Sequence, residues 1–253
     1  MNTIKERYES VKERINKAAD RAGTDPDRIH LVAVAKHASV DEVRQLVDLG
    51  HTDFGENRLQ HFTHLAAQIE EYVARRKELD EPDLPNPIRW HFIGHLQRNK
   101  CRRVVPITRL VHSLDSLRLA EELQEVAHKK DVVVEVLIQT NISRERQKTG
   151  IAPAAVGYLL DQLATMPNVT PRGMMCMAPE SENPDDSRDV FNRCRELFTE
   201  MQADPNCGDA FNILSMGMSN DFEIAIECGA NIVRVGTAIF GATPAPTAQA
   251  NTQ

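Results

Sequence analysis

The chain has 253 residues, of which 41% are hydrophobic, and it carries a formal net charge of −7 at pH 7. This length suffices for one domain with a full core. The acidic balance and the lack of a basic tract exclude a surface built for nucleic acid or anionic membranes. Five cysteines without a CxxC pair favour a reducing compartment, and no apolar stretch approaches the ~18 residues of a membrane span. Because the charged start also lacks the apolar region of a signal peptide, we expect a cytoplasmic protein.

An amphipathic helix is predicted at the start of the chain. Thr3 and Glu6 have the spacing of a capping box. Apolar residues then recur on one helical face: Ile4, Tyr8, Val11, Ile15 and Ala18. The helix should end near Gly23, since turn-forming residues follow it.

Short apolar runs alternate with helical patterns, such as those at 116–129 and 186–202, through the rest of the chain. Eight runs are predicted to be strands: residues 30–36, 52–56, 89–94, 109–114, 132–140, 172–177, 211–216 and 231–236. This alternation is typical of a parallel sheet covered by helices. Eight units favour a closed (β/α)8 barrel (TIM barrel) behind the N-terminal helix. The alternative is an open doubly wound sheet, although no GxGxxG motif follows the first run.

Two segments depart from the alternation. Residues 78–87 are acidic and rich in proline, which predicts a surface loop before the third strand. Residues 242–253 have the composition of a disordered tail. We therefore expect a single domain over residues 1–241, followed by that tail.

Lys36 ends the first predicted strand, at the end of a barrel where active sites lie. One interpretation is a lysine whose amine merely reaches solvent from the rim. The other is a lysine that forms a Schiff base, which must react as the neutral amine. Lowering its pKa from about 10.4 to about 7 costs roughly 4.6 kcal/mol. Burial at the mouth of an apolar strand can produce a shift of that size.

Two Gly- and Ser-rich segments, 214–221 and 235–241, follow the last two predicted strands. Loops at these positions of a barrel often bind phosphate through backbone N–H groups. Gly217 and Gly236 would let the backbone approach an anion. Three hydroxyls are candidate donors to it: Ser215, Ser219 and Thr237. The alternative is ordinary turn chemistry, with Ser219 or Asn220 capping the next helix.

Other polar residues in or near the predicted strands also have structural interpretations. Arg234 lies between two valines, and a buried guanidinium needs a partner such as a carboxylate. Glu56 ends the second run and suggests a salt bridge at the rim. Two histidine pairs have spacings that a metal could use, but neither comes with a full ligand set, so we predict no metal site. These pairs are His61 with His64 and His91 with His95.

Motifs along almost the whole chain resemble those of the pyridoxal phosphate homeostasis proteins, relatives of the alanine racemase barrel. The shared segments are AVAKHAS around Lys36, FGEN (54–57), WHFIGHLQRNK (90–100), RGMMCM (172–177), LSMGMSND (214–221) and VRVGTAIFG (233–241). The resemblance implies pyridoxal 5′-phosphate (PLP) bound covalently at Lys36, with its phosphate held by residues 215–219 and 236–237. It also implies that Arg234 faces the ring nitrogen, that Asn57 lies near the ring, and that the protein is a monomer. By the same resemblance, Lys148 is a second candidate for reaction with PLP.

An arginine on the ring nitrogen leaves the ring neutral, which makes PLP a weaker electron sink. Racemisation needs an acid–base group on each face of the substrate, and Lys36 supplies one. A tyrosine could supply the other, but the three tyrosines all fall in helical segments away from the strand ends: Tyr8, Tyr72 and Tyr158. We therefore predict a PLP carrier in vitamin B6 homeostasis that passes PLP to apo-enzymes and has no strong activity of its own. The alternatives are a low-activity amino-acid racemase or decarboxylase, and an aldolase that uses Lys36 without PLP.

Overall fold

The computed structural model describes residues 3–79, 87–143, 149–204 and 207–241. Most of the predicted loop (80–86), Lys148 and the predicted tail (242–253) lie outside the described residues.

Eight parallel strands of the described residues form a closed barrel in chain order, which confirms the predicted architecture. The strands are β1 (His30–Val34), β2 (Asp53–Glu56), β3 (Arg89–Phe92), β4 (Thr108–Leu114), β5 (Val134–Gln139), β6 (Val169–Met175), β7 (Ile213–Ser215) and β8 (Ile232–Val235). The described helices are α1 (Ile4–Ala22), α2 (Val40–Asp48), α3 (Leu59–Glu78), α4 (Cys101–Val104), α5 (Leu117–Lys130), α6 (Val156–Leu163), α7 (Arg188–Gln202), α8 (Phe222–Glu227) and α9 (Thr237–Phe240). β1 pairs with β8 as well as with β2, so the sheet has no open edge.

Helix α1 begins and ends where the sequence predicts. The side chains of Thr3 and Glu6 each accept a hydrogen bond from the other's backbone N–H, and Gly23 ends the helix at φ 65°. The helix packs against α8 and α9, and Arg14 forms a 2.6 Å ion pair with Glu223 of α8. The N-terminal helix thereby fixes the segment that connects the last two strands.

Two apolar layers stabilise the barrel, because strand side chains point alternately outward and inward. The outward side chains pack under the helices. Phe62 of α3, for example, is fully buried against Trp90 and Phe92. The inward apolar side chains form a second cluster: Val32, Leu110, Leu137, Met175 and Ile232. The interior also contains buried polar side chains, and these connect to the candidate site.

Candidate functional site

A cavity of about 550 Å³ opens at the carboxyl ends of the strands. Six residues predicted from the sequence line it: Lys36, Asn57, Ser219, Arg234, Gly236 and Thr237. Lys36 is half-buried in a turn two residues beyond the last residue of β1. The N–H of Ala35 still donates to the carbonyl of Gly55 (2.8 Å), so the backbone that carries Lys36 is anchored to β2. The lysine amine therefore belongs to the rim of a concave site.

Ser215 and Gly217, the other two predicted residues, lie behind the cavity wall. Ser215 ends β7 with its hydroxyl in the barrel interior, where it is fully buried. Gly217 has φ +84°, and a Cβ added there would lie 2.6 Å from the Cβ of Ala225 and 2.7 Å from the Cα of Phe222. Its carbonyl accepts the backbone N–H of Arg234 (3.1 Å). Both residues support the site from below instead of facing it.

Backbone donors converge on one polar atom at the β7–β8 side of the cavity. The Oγ of Ser219 accepts hydrogen bonds from the N–H groups of Gly236 (3.2 Å) and Ala238 (3.3 Å). The backbone is tightly placed here, since a Cβ on Gly236 would lie 3.2 Å from the carbonyl oxygen of Val34. Ser219 does not cap α8, whose N-cap residue is Asp221. An anion such as phosphate would bind here by accepting the hydroxyl hydrogen of Ser219 or by replacing its Oγ as the acceptor of these N–H groups.

The guanidinium of Arg234 lies at the bottom of the cavity and is only 3% exposed. It donates to the Oγ of Ser215 (2.6 Å) and to the carbonyl of Cys176 (3.1 Å). Burial lowers the pKa of Arg234, yet arginine keeps its charge in proteins. No carboxylate of the described residues lies within ion-pair distance of it. Its direct hydrogen-bond partners are neutral, and the carboxylate of Asp221, which also lines the cavity, interacts with it from beyond ion-pair distance. A ligand in the cavity would provide a direct acceptor for the remaining donors of Arg234.

Asn57 is held at the rim by its neighbour Glu56, the fully buried last residue of β2. One oxygen of Glu56 accepts the backbone N–H groups of Asn57 (2.7 Å) and Arg58 (3.2 Å), and the other contacts the Nδ1 of His61. Gly94 packs so closely that a Cβ there would lie 2.5 Å from the carbonyl oxygen of Asn57. The turn is thus fixed both by charge and by close packing.

The cavity has further residues outside the predicted set of site residues, although the place of His95 directly after the third predicted strand already puts it near the site. Gln139 ends β5 and donates to the hydroxyl of Thr149 (2.9 Å). His95 lines the cavity, and its Nδ1 hydrogen-bonds the carboxylate of Asp115 (2.8 Å). The segment 177–181, which follows β6, forms another part of the wall. All of them lie within a few residues of a strand's carboxyl end or on the loop that folds back over it. The first polar residues after each apolar run were therefore the available signal.

The remaining candidates of the sequence lie elsewhere. Within the described ranges, no group of three His, Cys, Asp or Glu side chains is arranged to hold a metal ion. The five cysteines are buried, and burial raises the pKa of the Cys101 thiol to about 12, which disfavours the reactive thiolate. The three tyrosines lie on α1, α3 and α6, outside the cavity lining. Among the helices of the described part, none has both the length and the apolar character needed to traverse a bilayer.

Comparisons with known proteins identify the family of the chain. The family model "Alanine racemase, N-terminal domain" matches residues 7–244. The pyridoxal phosphate homeostasis protein of Aquifex aeolicus is 41% identical over 93% of this chain and 96% of its own length. The protein of the same name from Pseudomonas aeruginosa is 38% identical over 96% of each. The solved structure of PipY from Synechococcus elongatus with PLP bound superimposes with a TM-score of 0.71 at 31% identity, covering 90% of this chain and all of that one. The chain belongs to the alanine racemase N-terminal domain family, among the pyridoxal phosphate homeostasis proteins.

Proposed function

We propose that the protein binds PLP as a Schiff base on Lys36 and acts in intracellular vitamin B6 homeostasis, passing the cofactor to apo-enzymes without strong catalytic activity of its own. One observation carries this proposal. The amine of Lys36 shares a single cavity with a buried arginine whose direct hydrogen-bond partners are neutral and with the turn at Ser219 and Gly236. The relatives named for PLP homeostasis and the PLP-bound PipY structure support the identity of the ligand.

The cavity fits the three functional parts of PLP. The turn of Ser219, Gly236 and Thr237 offers backbone and hydroxyl donors to the phosphate. Arg234 offers N–H donors to the unprotonated ring nitrogen, and Asn57 borders the ring. Lys36 would hold the aldehyde end of PLP through its amine. When bound, PLP supplies an electron sink, and an arginine at its nitrogen keeps that sink weak.

The proposed release of the cofactor depends on access to the cavity from outside the barrel. The cavity opens at the carboxyl ends of the strands, so the proposal includes exchange with the amines of other molecules. Cytoplasmic location, a monomeric state and a single domain over residues 1–241 are part of the same proposal. Lys36 would give up the cofactor to a free amine that enters the cavity and would then regain its own free amine.

Borohydride reduction of the PLP-loaded protein, followed by peptide mass mapping, tests the attachment. We expect the label on the peptide that contains Lys36 and no label in Lys36→Ala. The matched control is Lys130→Ala, which removes an exposed lysine of α5 and should leave labelling unchanged. Equal labelling of Lys36→Ala and the wild type would refute the proposed site.

Delivery is tested by mixing the loaded protein with the apo form of a PLP-dependent enzyme. The rate at which enzyme activity appears is compared with the rate supported by the same concentration of free PLP. Direct transfer predicts a faster rate from the loaded protein. A rate that never exceeds the free-PLP rate would leave binding intact but rule out delivery.

A second candidate function is a low-activity amino-acid racemase, and the hydrogen bond between His95 and Asp115 favours it. A histidine held through Nδ1 by a carboxylate is a common acid–base group, and His95 lines the cavity that contains Lys36. Steady conversion of L-alanine to D-alanine, lost in both Lys36→Ala and His95→Gln, would establish this activity. Under the carrier proposal we expect no steady conversion.

A further inference from the structure

A continuous line of buried hydrogen bonds crosses the interior of the barrel from Arg234. The Nη1 of Arg234 is 2.6 Å from the Oγ of Ser215, which is 3.1 Å from the Nδ1 of His112. The Nε2 of His112 is 2.9 Å from the Nδ1 of His91, and the Nε2 of His91 is 3.0 Å from the Oδ1 of Asp53. Each of these residues except Asp53 is at most 5% exposed. The line therefore connects the bottom of the cavity with the start of β2.

The far end of the line lies at the opposite face of the barrel. Asp53 begins β2, and Arg89 begins β3 directly beside it. Arg89 donates to both carboxylate oxygens of Asp53 (2.8 and 2.6 Å), and the hydroxyl of Thr52 donates to one of them (2.5 Å). Burial alone would raise the pKa of Asp53, but the hydrogen bonds from Arg89, His91 and Thr52 lower it below its usual value. The line thus runs from a cation at one end to a stable carboxylate at the other.

Hydrogen-bond accounting fixes the direction of every donor in the line. Asp53 can only accept, so His91 donates through Nε2 and accepts at Nδ1 when neutral. His112 then donates through Nε2, and its Nδ1 accepts the hydroxyl hydrogen of Ser215. Ser215 in turn accepts from Arg234, which can only donate. The reverse direction would leave the hydroxyl hydrogen of Ser215 without an acceptor among the described residues, and burial of that group without a partner is unfavourable.

We propose that Ser215, His112 and His91 are positioning residues that hold Arg234 against the ring nitrogen of the cofactor, with Asp53 as the fixed anionic end of the line. This inference rests on the proposed function, because it assumes that PLP occupies the cavity. Ser215 is a better acceptor for Arg234 while it donates to His112, since hydrogen bonds in a chain polarise one another. Arg234 is thereby held at Nη1 in one orientation, with its other donors directed toward Cys176 and the cavity.

A purely structural role does not account for the line. Apolar side chains of similar volume usually stabilise an interior at least as well as buried polar groups, and Leu137 and Met175 fill the rest of this one. Burial also lowers the pKa of His112 well below its usual value, which keeps the ring neutral and leaves the single arrangement of donors intact. A fully paired line of hydrogen bonds specifies one orientation of the Arg234 guanidinium, whereas contacts with apolar side chains would not.

The first test uses the wild-type apoprotein and requires no cofactor. Nitrogen-15 NMR of the histidine rings at pH 7 should show both His91 and His112 as neutral rings protonated at Nε2. A doubly protonated ring, or a proton on Nδ1 of either histidine, would overturn the inference. This result is independent of PLP binding, so it separates the line of hydrogen bonds from the proposed function.

The second test measures the ring nitrogen in protein loaded with PLP labelled with ¹⁵N in the ring. Ser215→Ala should move the ¹⁵N shift toward that of free, unprotonated pyridine and speed PLP dissociation roughly tenfold, as expected for one weakened charge-assisted hydrogen bond. Asp53→Asn should move the shift in the same direction by less, because it acts through three intervening groups. If Ser215→Ala does not fold, the ¹⁵N shift of Asp53→Asn alone tests the inference.

The matched control is Glu135→Gln. Glu135 also lies at the amino-terminal end of the barrel, is 18% exposed against 13% for Asp53, and pairs with two arginines, Arg109 and Arg172. No histidine of the described ranges hydrogen-bonds to it, so its variant should leave the ¹⁵N shift and the dissociation rate unchanged. Equal shifts in the wild type, Asp53→Asn and Ser215→Ala would overturn the inference while PLP binding stands. A wild-type protein that takes up no PLP would overturn the proposed function and this inference together.

Discussion

Gly217→Ala is the substitution whose cost the structure defines most directly. Gly217 has φ +84°, and a left-handed conformation costs an L residue roughly 1–2 kcal/mol. The new Cβ would also lie 2.6 Å from Ala225 and 2.7 Å from the backbone of Phe222, and overpacking of this kind costs about 1–3 kcal/mol. We expect the free energy of unfolding to fall by about 2–5 kcal/mol, the sum of the two ranges. PLP affinity should fall as well, because the carbonyl of Gly217 anchors Arg234.

Gly50→Ala separates the two contributions. Gly50 has φ +87°, nearly the same as Gly217, but nothing lies within 4 Å of a Cβ built there. Equilibrium unfolding in urea should therefore show a loss of only about 1–2 kcal/mol for Gly50→Ala, with unchanged PLP affinity. If the two variants lose the same free energy of unfolding, within about 0.5 kcal/mol, close packing does not constrain the segment after β7.

Three further substitutions test the fold. Burial lowers the pKa of His51 to about 4, against about 6.5 in the unfolded chain. Because the unfolded chain then binds more protons than the folded protein, the free energy of unfolding should fall by up to roughly 3 kcal/mol as the pH is lowered from 6.5 to 4. His51→Gln should flatten that pH dependence in urea titrations, whereas the exposed His64→Gln should not. Phe62→Ala should cost about 3–5 kcal/mol and alter the fluorescence of Trp90, the single tryptophan. Thr3→Ala should cost about 1 kcal/mol and speed hydrogen exchange in the first turn of α1.

The barrel could be predicted from the sequence because its signals are local and repeated. Each strand is a short apolar run, each run precedes a helical pattern, and eight repetitions leave few architectures. The ends of the strands follow less directly from the sequence. The run 30–36 continues past the end of β1, since the apolar Ala35 remains hydrogen-bonded to β2 although it lies outside the strand. Apolar composition reports burial, and burial extends beyond the strand.

The site was predicted in outline because barrels bind ligands at strand ends and because the motifs resemble a known family. Ser215 shows the limit of that reasoning. It lies in the same Ser- and Gly-rich segment as Ser219, but one hydroxyl points into the barrel and the other toward the backbone of Gly236. Which way a side chain points at the end of a strand depends on register and on strand tilt, and these are set by closure of the whole barrel.

The line from Arg234 to Asp53 could not be predicted, because its members come from five different strands. A polar residue inside an apolar run was the only local sign, as at His91, His112 and Arg234. Such residues must be paired when they are buried, but the sequence does not say with which partner. The pairing depends on side chains that meet only in the closed barrel.

The interior of this barrel contains two kinds of side chain, which have different effects on the protein. Its apolar members, such as Val32 and Leu137, pack as a layer and contribute stability in proportion to the surface they bury. Its polar members contribute less stability, since each lost contacts with water to enter the interior. They also require particular partners, which apolar groups do not. Under our proposal, a barrel that retains a fully paired line beneath Arg234 has therefore given up some packing energy for orientation. The orientation matters at one group, the guanidinium of Arg234, which lines the cavity where we propose that PLP binds.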